Sequence, residues 1–164
     1  MPLSSVVKNF RDGSILLEDG SGVVLTLTVQ YENGDFSAEG FNQGEHEVTS
    51  YLDRGEFGSL RKTNRKFPTF TFSAQLTEIS DATNKNLFDI VRKTGAFAAG
   101  VSTLGTNADV WTLDVTWTVE GTNFGDASDH VLKLEDCFLE IAIAEGDPDA
   151  FTITGTCYGA RTPT

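Results

Sequence analysis

The sequence predicts a mainly β domain, a β-sandwich or barrel of about eight strands with one flanking α-helix. Three observations predict it. Threonine-rich segments alternate apolar and polar residues with period two, most clearly in Val110–Glu120. Compact turn signals, Asp19-Gly20-Ser21 and Asn33-Gly34, separate the first such segments. Only one stretch, about 84–94, carries a helical apolar stripe with end signals.

The elements follow in chain order. Ser14–Glu18 and Gly22–Tyr31 flank the first turn, and Val23, Leu25, Leu27 and Val29 share one face of the second strand. Asn33-Gly34 turns the chain into Asp35–Phe41, and Asn42–Gly44 leads into a strand at Glu45–Leu52. Phe67–Thr77 sets Phe70, Phe72, Ala74 and Leu76 on one face, with Pro68 marking an edge or a strand beginning. In the helix at Asn84–Thr94, Leu87, Ile90, Val91 and Thr94 form the apolar stripe beside Phe88. Asp81 or Thr83 is the expected N-cap, and Gly95 the residue past its end. In Val110–Glu120, Trp111, Leu113, Val115, Trp117 and Val119 alternate with Thr112, Asp114, Thr116 and Thr118. His130–Ala144 changes register between Leu132/Leu134 and Cys137/Leu139/Ile141/Ile143, which predicts a bulge near Glu135-Asp136. Ala150–Tyr158 is the last strand.

Two stretches show no regular pattern, a charged segment at 53–66 and a small, Gly-rich one at 96–109. A long charged arm is hard to accommodate inside one compact domain, so 53–66 is expected to pack on a neighbouring subunit. At 164 residues, 1–164 reads as a single domain.

Charge is unevenly spread. Residues 1–53 carry a net −7, residues 54–104 a net +4 and residues 105–164 a net −9, within a total of −12. A basic island in an acidic chain suits a subunit that binds copies of itself, basic patch to acidic patch. The same total disfavours a broad grip on nucleic-acid phosphates but suits a wall along which DNA slides without sticking. The N-terminal residues show no basic segment followed by an apolar one, so no signal peptide is expected, and no apolar run approaches a membrane span. Cys137 and Cys157 are too few for a disulfide framework and read as two buried thiols in strands that can be neighbours, which leaves a disulfide possible.

No catalytic constellation stands out, and neither a cofactor nor a metal is expected. His46, within Glu45-His46-Glu47, and His130 read as surface histidines, and the His and Cys spacing does not match a zinc site. Asp147-Pro148-Asp149 has the spacing of a calcium fragment but reads better as a turn, as do Asp126 and Asp129. Trp111 and Trp117 could make a sugar-stacking platform, which motivates an alternative reading as a carbohydrate- or ligand-binding β-sandwich module. Their shared face with Leu113, Val115 and Val119 favours core instead. The run Arg54, Arg61, Lys62, Arg65 and Lys66 has no aromatic interleaved between Arg61 and Lys66, so ion pairing with the acidic 109–149 surface of a neighbouring copy is preferred over nucleic acid. Each such exposed pair contributes only about 0–1 kcal/mol.

The layout resembles the bacteriophage tail tube (major tail protein) family. The resemblance rests on the order of early hairpins, the charged stretch Tyr51–Lys62, the strand Pro68–Ser73, and the helix Asn86–Val91. It extends to the long Trp/Thr strand, the Cys137–Ile143 strand and Phe151–Thr156. It implies a structural virion protein of the tail, made in the host bacterial cytoplasm and not inserted in a membrane. Copies would form hexameric rings by joining sheets edge to edge, and the rings would stack into a hollow tube for DNA ejection. It further implies a tape measure protein, a tail terminator and a distal tail protein as partners, with another ring-forming tail part (terminator or distal tail protein) as an alternative identity. Under it Arg54, Glu56, Arg61, Lys62, Arg65 and Lys66 are candidates for inter-subunit or inter-ring contact, and Glu45, Glu47 and Asp114 for the acidic wall of the lumen.

Overall fold

The computed structural model describes residues 13–29, 36–42, 44–76, 79–122, 125, 127–146 and 149–164, with the side chains of 27–29 outside that description. Ten strands are present among them: β1 (Gly13–Glu18), β2 (Val24–Val29), β3 (Ser37–Glu39), β4 (His46–Asp53), β5 (Glu56–Arg65), β6 (Thr69–Gln75), β7 (Leu113–Val119), β8 (His130–Ala144), β9 (Ala150–Cys157) and β10 (Arg161–Pro163). The helix α1 spans Leu87–Arg92. Eight strands form one antiparallel sheet in the order β2-β1-β7-β8-β9-β6-β3, with β10 pairing β8 beyond the end of β9. Strands β4 and β5 pair only with each other. The expected mainly β class with one flanking helix is what the chain adopts, with the strands expected from Phe67 and Val110 beginning at Thr69 and Leu113.

Alternation places one face of the large sheet in a single core. Ile15, Leu17, Phe70, Phe72, Leu113, Val115, Leu134, Leu139, Phe151 and Ile153 all point into it, with Leu87, Ile90 and Val91 from the helix and Phe97 from the turn after it. The sheet must curl to achieve this. Phe36, just before β3, stacks on Trp117 of β7 at 4.7 Å between ring centroids, and on Phe70 of β6 at 5.9 Å. A flat sheet would hold β3 and β7, four steps apart in the strand order, roughly 19 Å from each other. The ring contact therefore measures how far the sheet rolls toward a barrel.

The expected bulge in β8 is present. Leu113 opposes Cys137 while Val115 opposes Leu134, so β8 carries an extra residue between them, and Asp136 takes a positive φ of 53° there. The Asp136 amide donates to Asp114 Oδ1 at 3.1 Å, which occupies a donor that the ladder leaves over.

Two buried aspartates tie the loops to this frame. Asp19, 3% exposed in the β1–β2 turn, accepts from the amides of Ser21, Val23 and Val101. Asp89, 0% exposed within α1, accepts from the Asp81 amide, the Asn86 amide group and the Thr94 hydroxyl at 2.6–2.9 Å. The helix is accordingly shorter than the expected 84–94. Its N-cap is Asn86, whose side-chain oxygen accepts from the Asp89 amide, and not Asp81 or Thr83. It ends at Lys93 in the left-handed region, two residues before the expected Gly95. Thr94 is exposed and does not belong to the apolar stripe.

The segment at 96–109 is irregular, as expected. It packs on its own chain: Phe97 is buried, and Ser102 donates to the Val110 carbonyl and shares a hydrogen bond with Thr112. The charged stretch at 53–66, by contrast, is regular, since it consists of a turn and the whole of β5. The Asn33-Gly34 turn, Asp126 and Asp147-Pro148 lie outside the described residues.

Candidate inter-subunit interface

Strands β4 and β5 form a hairpin joined by the two-residue loop Arg54-Gly55, with Asp53 opposite Glu56. Both loop residues have positive φ, 51° and 88°, the requirement of a type I′ turn. Two residues further, Leu52 opposes Phe57 but Tyr51 opposes Ser59, so Gly58 is the extra residue of a bulge. A side chain at position 58 would begin 3.0 Å from the Tyr51 carbonyl.

That bulge decides which residues share a face. Phe57 and Leu60 are three apart, yet both lie opposite even-numbered residues of β4 and so project to one side. Val48, Leu52, Phe57 and Leu60 thereby share one face with Ser50 and Lys62. They are 57%, 65%, 66% and 60% exposed. The other face carries Thr49, Tyr51, Ser59 and Arg61. A two-stranded ribbon that buries neither face gains almost nothing from its own apolar side chains. Four large exposed apolar residues on one face make this a candidate interaction surface.

The root of the hairpin is held more firmly than its tip. Asn42 brackets it: its side-chain oxygen accepts from the His46 amide at 3.2 Å and its NH2 donates to the His46 carbonyl at 3.0 Å. Glu45, in a left-handed conformation, accepts from the Lys66 amide at 2.8 Å through its carbonyl. Its carboxylate pairs with Arg161 of β10 and, at 3.8 Å, with Arg65. The Arg161 side chain is 7% exposed and also donates to the Cys157 carbonyl at 3.0 Å. The hairpin is thus rooted on the C-terminal strand pair of the sheet.

All six contact candidates belong to this element or its root. Arg54 is in the turn, Glu56 opens β5, Arg61 and Lys62 lie on opposite faces, and Arg65 and Lys66 sit at the root. The three acidic candidates are not brought together. Glu45 is at the root and bound to arginines, while Glu47 is exposed on β4. Asp114, on β7 of the large sheet, pairs with Lys133 at 3.2 Å. Its hydrogen bond, with Glu135 close by, holds the Lys133 ammonium pKa above its usual range. The apolar residues Val48, Leu52, Phe57 and Leu60 escape sequence reading because the bulge hides their common face.

Among the described residues no group of three or more His, Cys, Asp or Glu is placed to hold a metal ion. His46 Nδ1 lies against the Gly44 carbonyl. Asp129 caps the loop at 121–122 by accepting from both amides, as a turn residue does. Trp111 donates to the Ile90 carbonyl at 2.8 Å under the Lys93 ammonium, and Trp117 stacks on Phe36. Both indoles are part-buried and packed against the core, so they offer no common sugar platform.

No family model matches the chain, and no curated protein matches it. Among solved structures it is similar to a chain of the sheath-tube complex of an extracellular contractile injection system, PVC, in the extended state. That match has 10% identity and a TM-score of 0.57, and covers 99% of this chain and 93% of the other. It is also similar to a chain of the PVC sheath/tube terminator in the extended state, at 12% identity and a TM-score of 0.54, covering 99% of both chains. At these identities the likeness is one of fold, end to end, with chains of an extracellular contractile injection system.

Proposed function

We propose that this chain is a structural tail subunit that assembles into hexameric rings, and that the rings stack into a hollow tail tube of a phage virion through which DNA passes into the host. The observation that carries the reading is the β4–β5 hairpin, rooted on the sheet and presenting an apolar face that the chain itself leaves uncovered. On this reading the hairpin is the ring-to-ring arm. Val48, Leu52, Phe57 and Leu60 supply affinity by burial, while Arg54, Glu56, Arg61, Lys62, Arg65 and Lys66 set register against the acidic surface of the adjoining copy. Among the described residues β2 and β3 are the outermost strands, and on this reading their edges join sheets within a ring. Glu47, exposed, is the best placed of the three acidic candidates to line the bore. A tape measure protein, a terminator and a distal tail protein complete the assembly.

The test is negative-stain microscopy of the concentrated protein beside its sedimentation profile, for the natural chain and for the double variant Leu52→Ser, Phe57→Ser. Hollow tubes or stacked rings that vanish in the variant, with its circular dichroism unchanged, are expected. Tubes that persist in the variant remove the arm from the reading, and a strictly monomeric natural chain at high concentration counts against assembly itself. A second reading, a ring-forming part that does not stack, is favoured by the likeness to the terminator chain. It predicts single rings at every concentration.

A further inference from the structure

Cys137 and Cys157 occupy opposite positions on β8 and β9. The Cys157 amide donates to the Pro68 carbonyl at 2.9 Å, on the β6 side, so it is not spent on β8. The two cysteines are therefore a non-hydrogen-bonded pair, the kind in which opposing Cα atoms approach to about 4.5 Å and side chains come closest. That separation lies within the span a disulfide bridges. The sulfurs also point the same way. Cys157 Sγ lies 3.2 Å and Cys137 Sγ 3.8 Å from one acceptor, the Glu135 carbonyl in the bulge. Both are free and fully buried.

We infer that this pair is an oxidation site at which hydrogen peroxide closes an intrachain Cys137–Cys157 disulfide, stapling β8 to β9 beside the bulge. The roles of the two sulfurs differ. The Cys137 thiol opposite, with the Arg161 guanidinium nearby, holds the Cys157 thiol below its usual range, while Cys157 and burial push Cys137 up. Cys157 is accordingly the attacking thiolate once local opening of the β8–β9 pair admits the peroxide, both sulfurs being buried in the closed fold. It attacks one peroxide oxygen, the O–O bond breaks, and the departing oxygen leaves as water, giving a sulfenic acid. The Cys137 sulfur then attacks the Cys157 sulfur. The S–O bond breaks, the S–S bond forms, and a second water leaves with the Cys137 proton. Two thiols lose two electrons and two protons, and the peroxide is reduced to two waters. The staple sits next to the hairpin root, because the Cys157 carbonyl accepts from the same Arg161 that binds Glu45.

The full chain, reduced and then exposed to hydrogen peroxide, is denatured, alkylated with iodoacetamide and weighed intact, with peptide mapping. Expected are loss of both alkylation sites, a Cys137–Cys157 cross-linked peptide in a monomeric chain, and a melting temperature raised by roughly 5–10 °C that dithiothreitol reverses. Complete alkylation after peroxide, sulfinic acid without a cross-link, or interchain dimers would each overturn the inference. The single variants Cys137→Ala and Cys157→Ala serve as mass controls, while the natural chain carries the decision. The readout is made on the monomer, so it is independent of ring or tube formation.

Discussion

The large sheet and the β4–β5 hairpin are both antiparallel ladders, yet they spend their apolar side chains in opposite ways. In the sheet Leu17, Val115, Leu134 and Ile153 are 0% exposed, and each such burial contributes about 1.5–3 kcal/mol to folding. In the hairpin Leu52 and Phe57 are about two-thirds exposed and contribute little to the isolated chain. The same residue types thus stabilise the fold in one region and are left exposed in the other. Ordered backbone does not imply a stabilising role: the hairpin holds its shape through its ladder, its type I′ turn and its root.

The sharpest way to break this contrast is at the centre of the sheet. Phe151→Ala, at a fully buried ring, is expected to cost about 3–5 kcal/mol, read as a lowered urea midpoint. Asp89→Ala comes next at about 2–4 kcal/mol, because the Asp81 amide, the Asn86 amide and the Thr94 hydroxyl lose a shared buried acceptor. Glu45→Ala removes the partner of the nearly buried Arg161. A cost of about 1–3 kcal/mol is expected, with faster amide exchange at the hairpin root. The smallest effect belongs to Leu52→Ser with Phe57→Ser, within about 0.5 kcal/mol for the monomer, against complete loss of assembly. A large fall in monomer stability in that variant would erase the contrast.

Acid sharpens it from another side. Burial pushes the Asp89 carboxyl up, but hydrogen bonds from Thr94, the Asp81 amide, Asn86 and Ser80 outweigh it and hold the group below the usual carboxylate range. Asp19 behaves alike: burial is outweighed by Ser21 and by the amides of Val23, Val101 and Ser21. A folded pKa below the unfolded one means the native state binds fewer protons. The stabilisation is therefore full above about pH 4 and is lost as pH falls through the folded values. Melting curves from pH 7 down to pH 3 are expected to fall below pH 4, and Asp89→Asn is expected to flatten part of that fall.

Much of the sheet is legible in the sequence because burying one face imposes a period of two. The Trp/Thr alternation of β7 and the change of register at Glu135-Asp136 are read directly from the order of residues. The second strand of the hairpin is not legible for the same reason inverted. With no face buried nothing enforces alternation, and the Gly58 bulge sets Phe57 and Leu60 three apart. The ends of α1 are misread because Asn86, inside the apparent helix, caps it, and because Lys93 takes the left-handed conformation usually left to glycine. The convergence of Asp81, Asn86 and Thr94 on the buried Asp89 has no counterpart in a sequence pattern. Of the candidate site, the charged residues are visible in the sequence and the apolar face between them is not.

The position of the root has a mechanical consequence. At about 3.4 Å per residue, the eight residues of β4 carry the turn roughly 25 Å from the Glu45–Arg161 pair. Over that lever arm, a tilt of about 5° at the root sweeps the tip sideways by about 2 Å, enough to take a seated Phe57 out of van der Waals contact. The aim of the arm is therefore set at its root, by the Glu45–Arg161 pair together with the Asn42 bracket and the Lys66–Glu45 backbone bond, well away from Leu52 and Phe57 near the tip.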